Sequence, residues 1–186
     1  MLAVKIDVSG ISHLAAALAD LSRAQRERIV PRVINDIGDA AYTQVVRAIA
    51  AESSMPQNRV RKVLQKKKAY LERPQYEIRA RDEYTSLKDF RPVQTKAGLR
   101  VKVWGKIRTY RGKNVAPFIG PGGHVYKRIS RHRLPIEKLW GPAVPKELIR
   151  GYAYEAAQKI AAEKLGPRLA YQMDREIGRV KAKYKV

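Results

Sequence analysis

Between Asp89 and Glu137 the chain holds no Asp or Glu, while Arg91, Lys96, Arg100, Lys102, Lys106, Arg108, Arg111, Lys113, Lys127, Arg128, Arg131 and Arg133 all fall inside that stretch. So long a run of like charge repels itself unless its charged side chains meet water or something negative. It has to lie on a solvated face or against something negative. Charge alone leaves two partners open, the phosphates of a nucleic acid and an acidic protein.

The rest of the composition limits what that face belongs to. The chain has 186 residues, of which 45% are hydrophobic, enough for a real core in one domain. Its formal charge of +22, from 39 basic and 17 acidic residues, is large for an enzyme acting on small neutral molecules. There is no cysteine, so disulfides, thiol catalysis and thiolate metal sites are excluded. The sequence has no apolar run long enough to span a membrane. Asp7 interrupts the N-terminal segment, which we therefore do not read as a signal peptide. A soluble cytosolic product is expected, with no membrane contact.

Periodicity then divides the chain. Val4, Ile6 and Val8 alternate with Lys5 and Asp7, predicting a short strand ended by Ser9-Gly10. Ser12 is placed to cap a helix carrying Leu14, Leu18 and Leu21 on one face. Val33, Ile37, Val45 and Ile49 continue the stripe beyond Pro31, which predicts one broken helix or a helix pair over residues 12–52. Ser54 and Gln57 stand at capping-box spacing before a short basic helix that carries Val60, Val63 and Leu64.

From about residue 70 the period changes to two. Tyr76, Ile78 and Ala80 alternate with Glu77 and Arg79, and Leu99, Val101 and Val103 alternate with Arg100 and Lys102. Both read as strands of an antiparallel sheet, buried on one side and solvated on the other. The glycines and prolines of residues 105–123 predict a long loop or arm, flanked by short strands at 117–119 and 124–129. A helical pattern returns over 145–184, with a break or bend expected at Gly166-Pro167. The expected fold is α+β in a single domain over 1–186. Its helical part spans 12–68, its β part 74–140, and a C-terminal helix closes it.

Several motifs carry possible chemistry. Residues 49–68 have the small residue, tight turn and apolar second helix of a helix-turn-helix, with Arg59, Arg61 and Lys62 on the second helix. An ordinary helix corner in a core explains the same pattern, and we favour it. Arg108, Arg111 and Lys113 read as a polyanion-facing arm, since phosphate contact needs only positive charge within reach. Gly120-Pro121-Gly122-Gly123 lacks the Lys-Ser/Thr of a phosphate loop and reads as a turn. His13, His124 and His132 have no partner at metal-ligand spacing, and the carboxylates do not cluster as a metal-dependent nuclease needs. No nucleophile motif is present. We expect no enzyme and no required cofactor.

The segment Leu134-Pro135-Ile136-Glu137-Lys138-Leu139-Trp140-Gly141-Pro142-Ala143-Val144-Pro145 is stiffened by prolines and carries large apolar anchors. Following basic strands and leading into a helix, it resembles the minor tail protein Z family of tailed bacteriophages and prophages. The Pro-led basic helix from Met55 to Leu64 and the strand Leu99-Arg100-Val101-Lys102-Val103-Trp104-Gly105 are similar to that pattern, and the order of elements covers nearly the whole chain. The resemblance implies a structural protein that completes the head-proximal end of the tail for head–tail joining. It implies a ring subunit near the DNA channel, located in the virion tail and in the host cytoplasm during assembly. Its partners would be copies of itself and other tail or neck proteins, with non-specific DNA contact by the basic arm. Leu134, Pro135, Ile136, Trp140, Gly141 and Pro142 would make the subunit contact. The alternative is a DNA-binding protein using residues 49–68.

Overall fold

The computed structural model describes residues 2–6, 22–81, 84–111 and 116–184. Ser12, His13, Leu14, Leu18, Leu21 and Lys113 lie outside the described residues. The fold is α+β. In chain order it forms β1 (Leu2–Ile6), α1 (Arg23–Ser53), α2 (Gln57–Val63), β2 (Leu64–Lys67), β3 (Tyr76–Ala80), β4 (Tyr84–Ser86), a 3-10 turn (Leu87–Phe90), β5 (Val93–Thr95), β6 (Gly98–Val103), β7 (Lys106–Tyr110), β8 (Phe118–Ile119), β9 (Val125–Arg128), β10 (Ile136–Lys138), β11 (Trp140–Ala143), α3 (Val144–Leu148) and α4 (Gly151–Tyr184). Two compact units arise. A helical unit takes Ala3–Val45, Gln65–Arg79 and Gly151–Val186, and a β-rich unit takes Met1–Leu2, Val46–Leu64 and Ala80–Arg150.

The helical unit is built on apolar stripes. Ile29, Val33, Ile37, Ala41 and Val45 recur every four residues along α1 and are buried, as are Ala153, Ala157, Leu165 and Leu169 of α4. Both helices run through a proline, Pro31 in α1 and Pro167 in α4. Of the break or bend expected at Gly166-Pro167, the break is therefore absent. Each proline removes one backbone hydrogen bond, a local cost of about 3 kcal/mol. The stripes continue on both sides, so packing outweighs that loss.

Strand β3 is the centre of the sheet β1-β3-β2. Its Glu77 is buried beside Tyr76 and Ile78, where alternation predicts a solvated position. Arg79 donates through Nε to Glu77 Oε2 at 2.8 Å, and Arg73 pairs with Oε1. Burial alone would raise this carboxyl. The Arg79 hydrogen bond and the charges of Arg73 and Arg79 hold it below its ordinary value. Asp39 of α1 does similar work, accepting from Lys66 Nζ at 2.7 Å and from the Tyr76 hydroxyl at 2.8 Å. The Asn35 side chain brackets the Ala69 backbone, donating to its carbonyl at 3.0 Å and accepting from its amide at 2.8 Å. Buried Glu176 of α4 takes Arg28 at 3.0 Å.

The β-rich unit holds three small sheets, ordered β5-β6-β7, β8-β9-β10 and β4-β11. The expected alternation on β6 is present, with Leu99, Val101 and Val103 buried and Arg100 and Lys102 exposed. Residues 106–110, expected as loop, form strand β7 instead. Trp104 and Gly105 make a two-residue hairpin turn with φ of 51° and 69°, and Val103 pairs with Lys106 across it. Tertiary bonds hold Trp104 in this unusual conformation. Its amide donates to the Ser53 carbonyl at 3.2 Å, and its indole Nε1 donates to buried Glu147 at 3.0 Å. The expected capping box at Ser54 does not form. Pro56 precedes α2 without a side-chain cap, and Ser54 Oγ accepts from the Gly105 amide at 2.9 Å.

Candidate functional site

The described basic and apolar residues expected to make contacts, Arg59, Arg61, Lys62, Arg108, Arg111 and the segment from Leu134 to Pro142, lie in the β-rich unit. That unit has 21 basic and six acidic residues against 18 and 11 in the other, so +15 of the +22 is concentrated there. The acid-free stretch supplies most of the excess, and the register of β5, β6 and β7 decides where its charges point.

Side chains directly opposite one another in an antiparallel pair share a face. Val93 pairs with Arg100 and Arg100 with Thr109, while Lys102 pairs with Ile107. These residues, with Thr95, share the face opposite the buried Leu99, Val101 and Val103. Arg100, Lys102, Ile107 and Thr109 are exposed there, as is Arg111 at its border. Two open grooves meet at Arg100. One is bordered by Arg91, Val93, Lys102 and Ile107, the other by Thr95, Lys96, Thr109 and Arg111.

The expected arm is thereby divided. Arg111 borders this outward face. Arg108 pairs with Val101 on the opposite face and lies over the Trp104 ring at 4.8 Å. The sequence names Arg108 and Arg111 together, but Arg108 points to the opposite face of β7, whereas Arg111, just beyond its end, borders the groove of Arg100 and Thr109.

Arg59, Arg61 and Lys62 stand on α2. Arg59 pairs with Asp89 at 3.3 Å, whereas Arg61 and Lys62 are exposed. Helix α2 has only seven residues and passes directly into β2, so Lys66 and Lys67 do not share its face. Residues 49–68 are a helix end, a two-turn helix and a strand rather than two helices.

The segment of the family resemblance forms β10, β11 and the start of α3. Leu134 is 65% exposed, Ile136 41% and Trp140 50%, and Tyr84, 53% exposed, lies with its ring 6.3 Å from Trp140. Pro135 is exposed and follows a cis peptide bond. Gly141 and Pro142 do not belong to that outer surface. Pro142 is buried, and a Cβ on Gly141 would stand 2.7 Å from the Phe90 ring. Lys138 covers Trp140 at 4.2 Å and Lys146 covers Tyr84 at 5.9 Å. A cleft beside them is lined by Arg59, Ser86, Lys88, Asp89 and His124. Ser86 Oγ and His124 Nδ1 are 3.0 Å apart. Burial, then the positive charges of Lys138 and Lys88, hold the His124 imidazole below its ordinary value against the opposing pull of Asp89.

Sequence reasoning lists Arg100 and Lys102 as basic but passes over Thr95, Thr109 and Ile107 as site residues. The available signal is the alternation Ile107-Arg108-Thr109-Tyr110, which extends the period of β6 beyond the turn. Among the described residues, no group of three or more His, Cys, Asp or Glu is arranged to hold a metal ion. No helix among them is long and apolar enough to cross a membrane. No protein-family model, curated protein or solved structure matches the chain.

Proposed function

We propose that this chain is a structural protein of a tailed phage or prophage that completes the head-proximal end of the tail for head–tail joining. The observation that carries the reading is the exposed ridge of Trp140 and Tyr84, whose rings are 6.3 Å apart, with Leu134 and Ile136 exposed on the same segment as Trp140. Leu134, Ile136 and Trp140 lie on the segment that resembles the minor tail protein Z family, Tyr84 lies on β4, and all four are between 41% and 65% exposed. Aromatic and aliphatic anchors left open on a proline-stiffened segment suit docking to another subunit. The reading makes the ridge the contact between copies in a ring, or with a neighbouring neck protein. The assembly then buries apolar area that the single chain leaves in water.

The test is electron microscopy of particles from a lysogen lacking the gene, beside the complemented strain. Separate filled heads and full-length tails without the protein, and joined virions with it, are the expected result. Normally joined virions in both strains overturn the reading. A complementing copy carrying Trp140→Glu and Ile136→Glu is expected to leave heads and tails apart.

A further inference from the structure

We propose that the outward face of the β5-β6-β7 sheet docks the phosphate backbone of duplex nucleic acid, without regard to base sequence. The register brings Arg100 and Lys102 to one side of the sheet, with Arg91, Lys96 and Arg111 at its rims. No acidic residue occurs anywhere between Phe90 and Ile136, so no carboxylate of these strands neutralises that face. Same-face residues of one strand are about 6.8 Å apart, comparable to the separation of successive phosphates along a nucleic-acid strand. Arg100 and Lys102 stand at that spacing.

The other side chains decide between the two anions left open by charge. Thr95 and Thr109 border the same groove as Arg100, and Thr109 is exposed, offering a hydroxyl to phosphate oxygens. Val93, 58% exposed, and Ile107, 61% exposed, flank the cations and offer contact to the sugars. None of the strand residues on this face is aromatic. Protein interfaces are enriched in aromatic anchors, and the exposed Tyr84 and Trp140 belong instead to β4 and β11. Phe90 borders the groove but is itself buried. A cationic, hydroxyl-bearing strand face without exposed aromatics suits phosphate better than an acidic protein, and phosphate contact carries no sequence information. The inference rests on charge and register rather than on the tail-completion reading. The deletion strain tests one and duplex binding tests the other.

The experiment is fluorescence anisotropy of the purified full chain with two mixed-sequence duplexes unrelated to each other, titrated between about 50 and 200 mM salt. Both duplexes are expected to bind with similar affinity. Each phosphate contact contributes about 0.9 to the slope of log K against log salt. The double variant Arg100→Gln with Lys102→Gln should therefore be shallower by about 1.8, and a second pair from the groove borders, Arg91→Gln with Arg111→Gln, should flatten the slope similarly. Lys106→Gln, which pairs with Val103 on the other face, should leave the slope unchanged. Circular dichroism checks that each variant is folded. Unchanged slopes in both double variants overturn the inference. So does a tenfold preference between the duplexes, or binding to polyglutamate with none to duplex.

Discussion

Replacing Gly98 by Ala tests how closely β7 approaches the start of β6, and with it the geometry of the basic face. Gly98 has φ of +129°, in the region that favours glycine. A Cβ built there would lie 2.3 Å from the Tyr110 carbonyl oxygen and 3.2 Å from its carbonyl carbon. The obstacle is backbone, so no rotamer change relieves it. Backbone strain at such a φ costs about 1–3 kcal/mol for a non-glycine residue. Opening the neighbouring pair Leu99↔Tyr110 loses about 1 kcal/mol more for each net hydrogen bond broken. The expected loss is roughly 2–4 kcal/mol.

Gly105 supplies the internal control. It also has positive φ, +69°, but nothing lies within 4 Å of its would-be Cβ. Gly105→Ala should cost only the conformational part, about 1 kcal/mol. For a chain of this length, 1 kcal/mol shifts Tm by about 2–4 °C. Gly98→Ala should thus lower Tm by roughly 5–15 °C and Gly105→Ala by about 2–4 °C. Urea unfolding followed by tryptophan emission reads the relevant unit directly, because both tryptophans, Trp104 and Trp140, belong to it. Equal losses in the two variants would refute the argument, since they would mean that the Tyr110 backbone does not crowd residue 98. At a temperature where Gly98→Ala remains folded, its duplex affinity should fall too, because Thr109 and Arg111 move with β7.

Other consequences are as direct. A Cβ on Gly38 would lie 2.2 Å from the Tyr76 ring, whereas one on Gly178 meets nothing within 4 Å. Gly38→Ala should therefore destabilise by about 1–3 kcal/mol despite its helix propensity, and Gly178→Ala should stabilise by about 0.5–1 kcal/mol, both read by thermal melting. The Glu77 and Asp39 carboxyls are held below their ordinary values of 4.5 and 3.8. Below those values the unfolded chain binds more protons than the folded one. The stability they confer is complete above that range and is lost as pH falls through the depressed folded values. Urea midpoints measured down the acid limb should drop, and less steeply in Glu77→Gln. Glu147→Ala removes the buried acceptor of the Trp104 indole and the 3.2 Å partner of Arg150. It should cost roughly 1.5–3 kcal/mol and red-shift tryptophan emission.

Local pattern made some elements legible and hid others for physical reasons. The alternation of Leu99 to Val103 revealed β6 and its solvated face, because a half-buried strand needs little beyond its own residues to declare itself. The apolar stripes of α1 and α4 were legible on the same ground. Strand β7 was hidden by the glycines and prolines that follow it, and by a turn that places Trp104 at positive φ. That conformation is sustained by Ser53 and Glu147, each more than 40 residues away. Alternation predicts a solvated Glu77 because it is blind to Arg73 and Arg79. The division of Arg108 from Arg111 becomes readable once β7 is recognised, since parity then places Arg108 on the opposite face. At the segment 134–145 the apolar anchors were legible, but not which of them remain outside. Pro142 and Gly141 turn into the unit, while Leu134, Ile136 and Trp140 do not.

The self-repulsion of the β-rich unit explains how its surface is arranged. Few carboxylates are available to relieve it, and two of them, Asp89 and Glu147, pair with Arg59 and Arg150. Aromatic rings take a further share. Arg108 lies over Trp104, Arg128 over Phe118, Lys138 over Trp140 and Lys146 over Tyr84. A ring face offers a cation about 0.5–1 kcal/mol at an exposed site, so these contacts lower the cost of crowding without cancelling charge. Arg100 and Lys102 stand on a strand face whose own residues include no ring and no carboxylate, with Arg111 just beyond β7, so water or an outside anion takes much of the burden there. The unit therefore bears two surfaces of different chemistry. Association through the Trp140 ridge should depend on buried apolar area and change little with salt. Association through the β5-β6-β7 face should weaken steeply as salt rises. Salt titration of each association separates the two surfaces even in the intact chain, and equal salt dependence for both would show that the charges of the sheet act on the ridge as well.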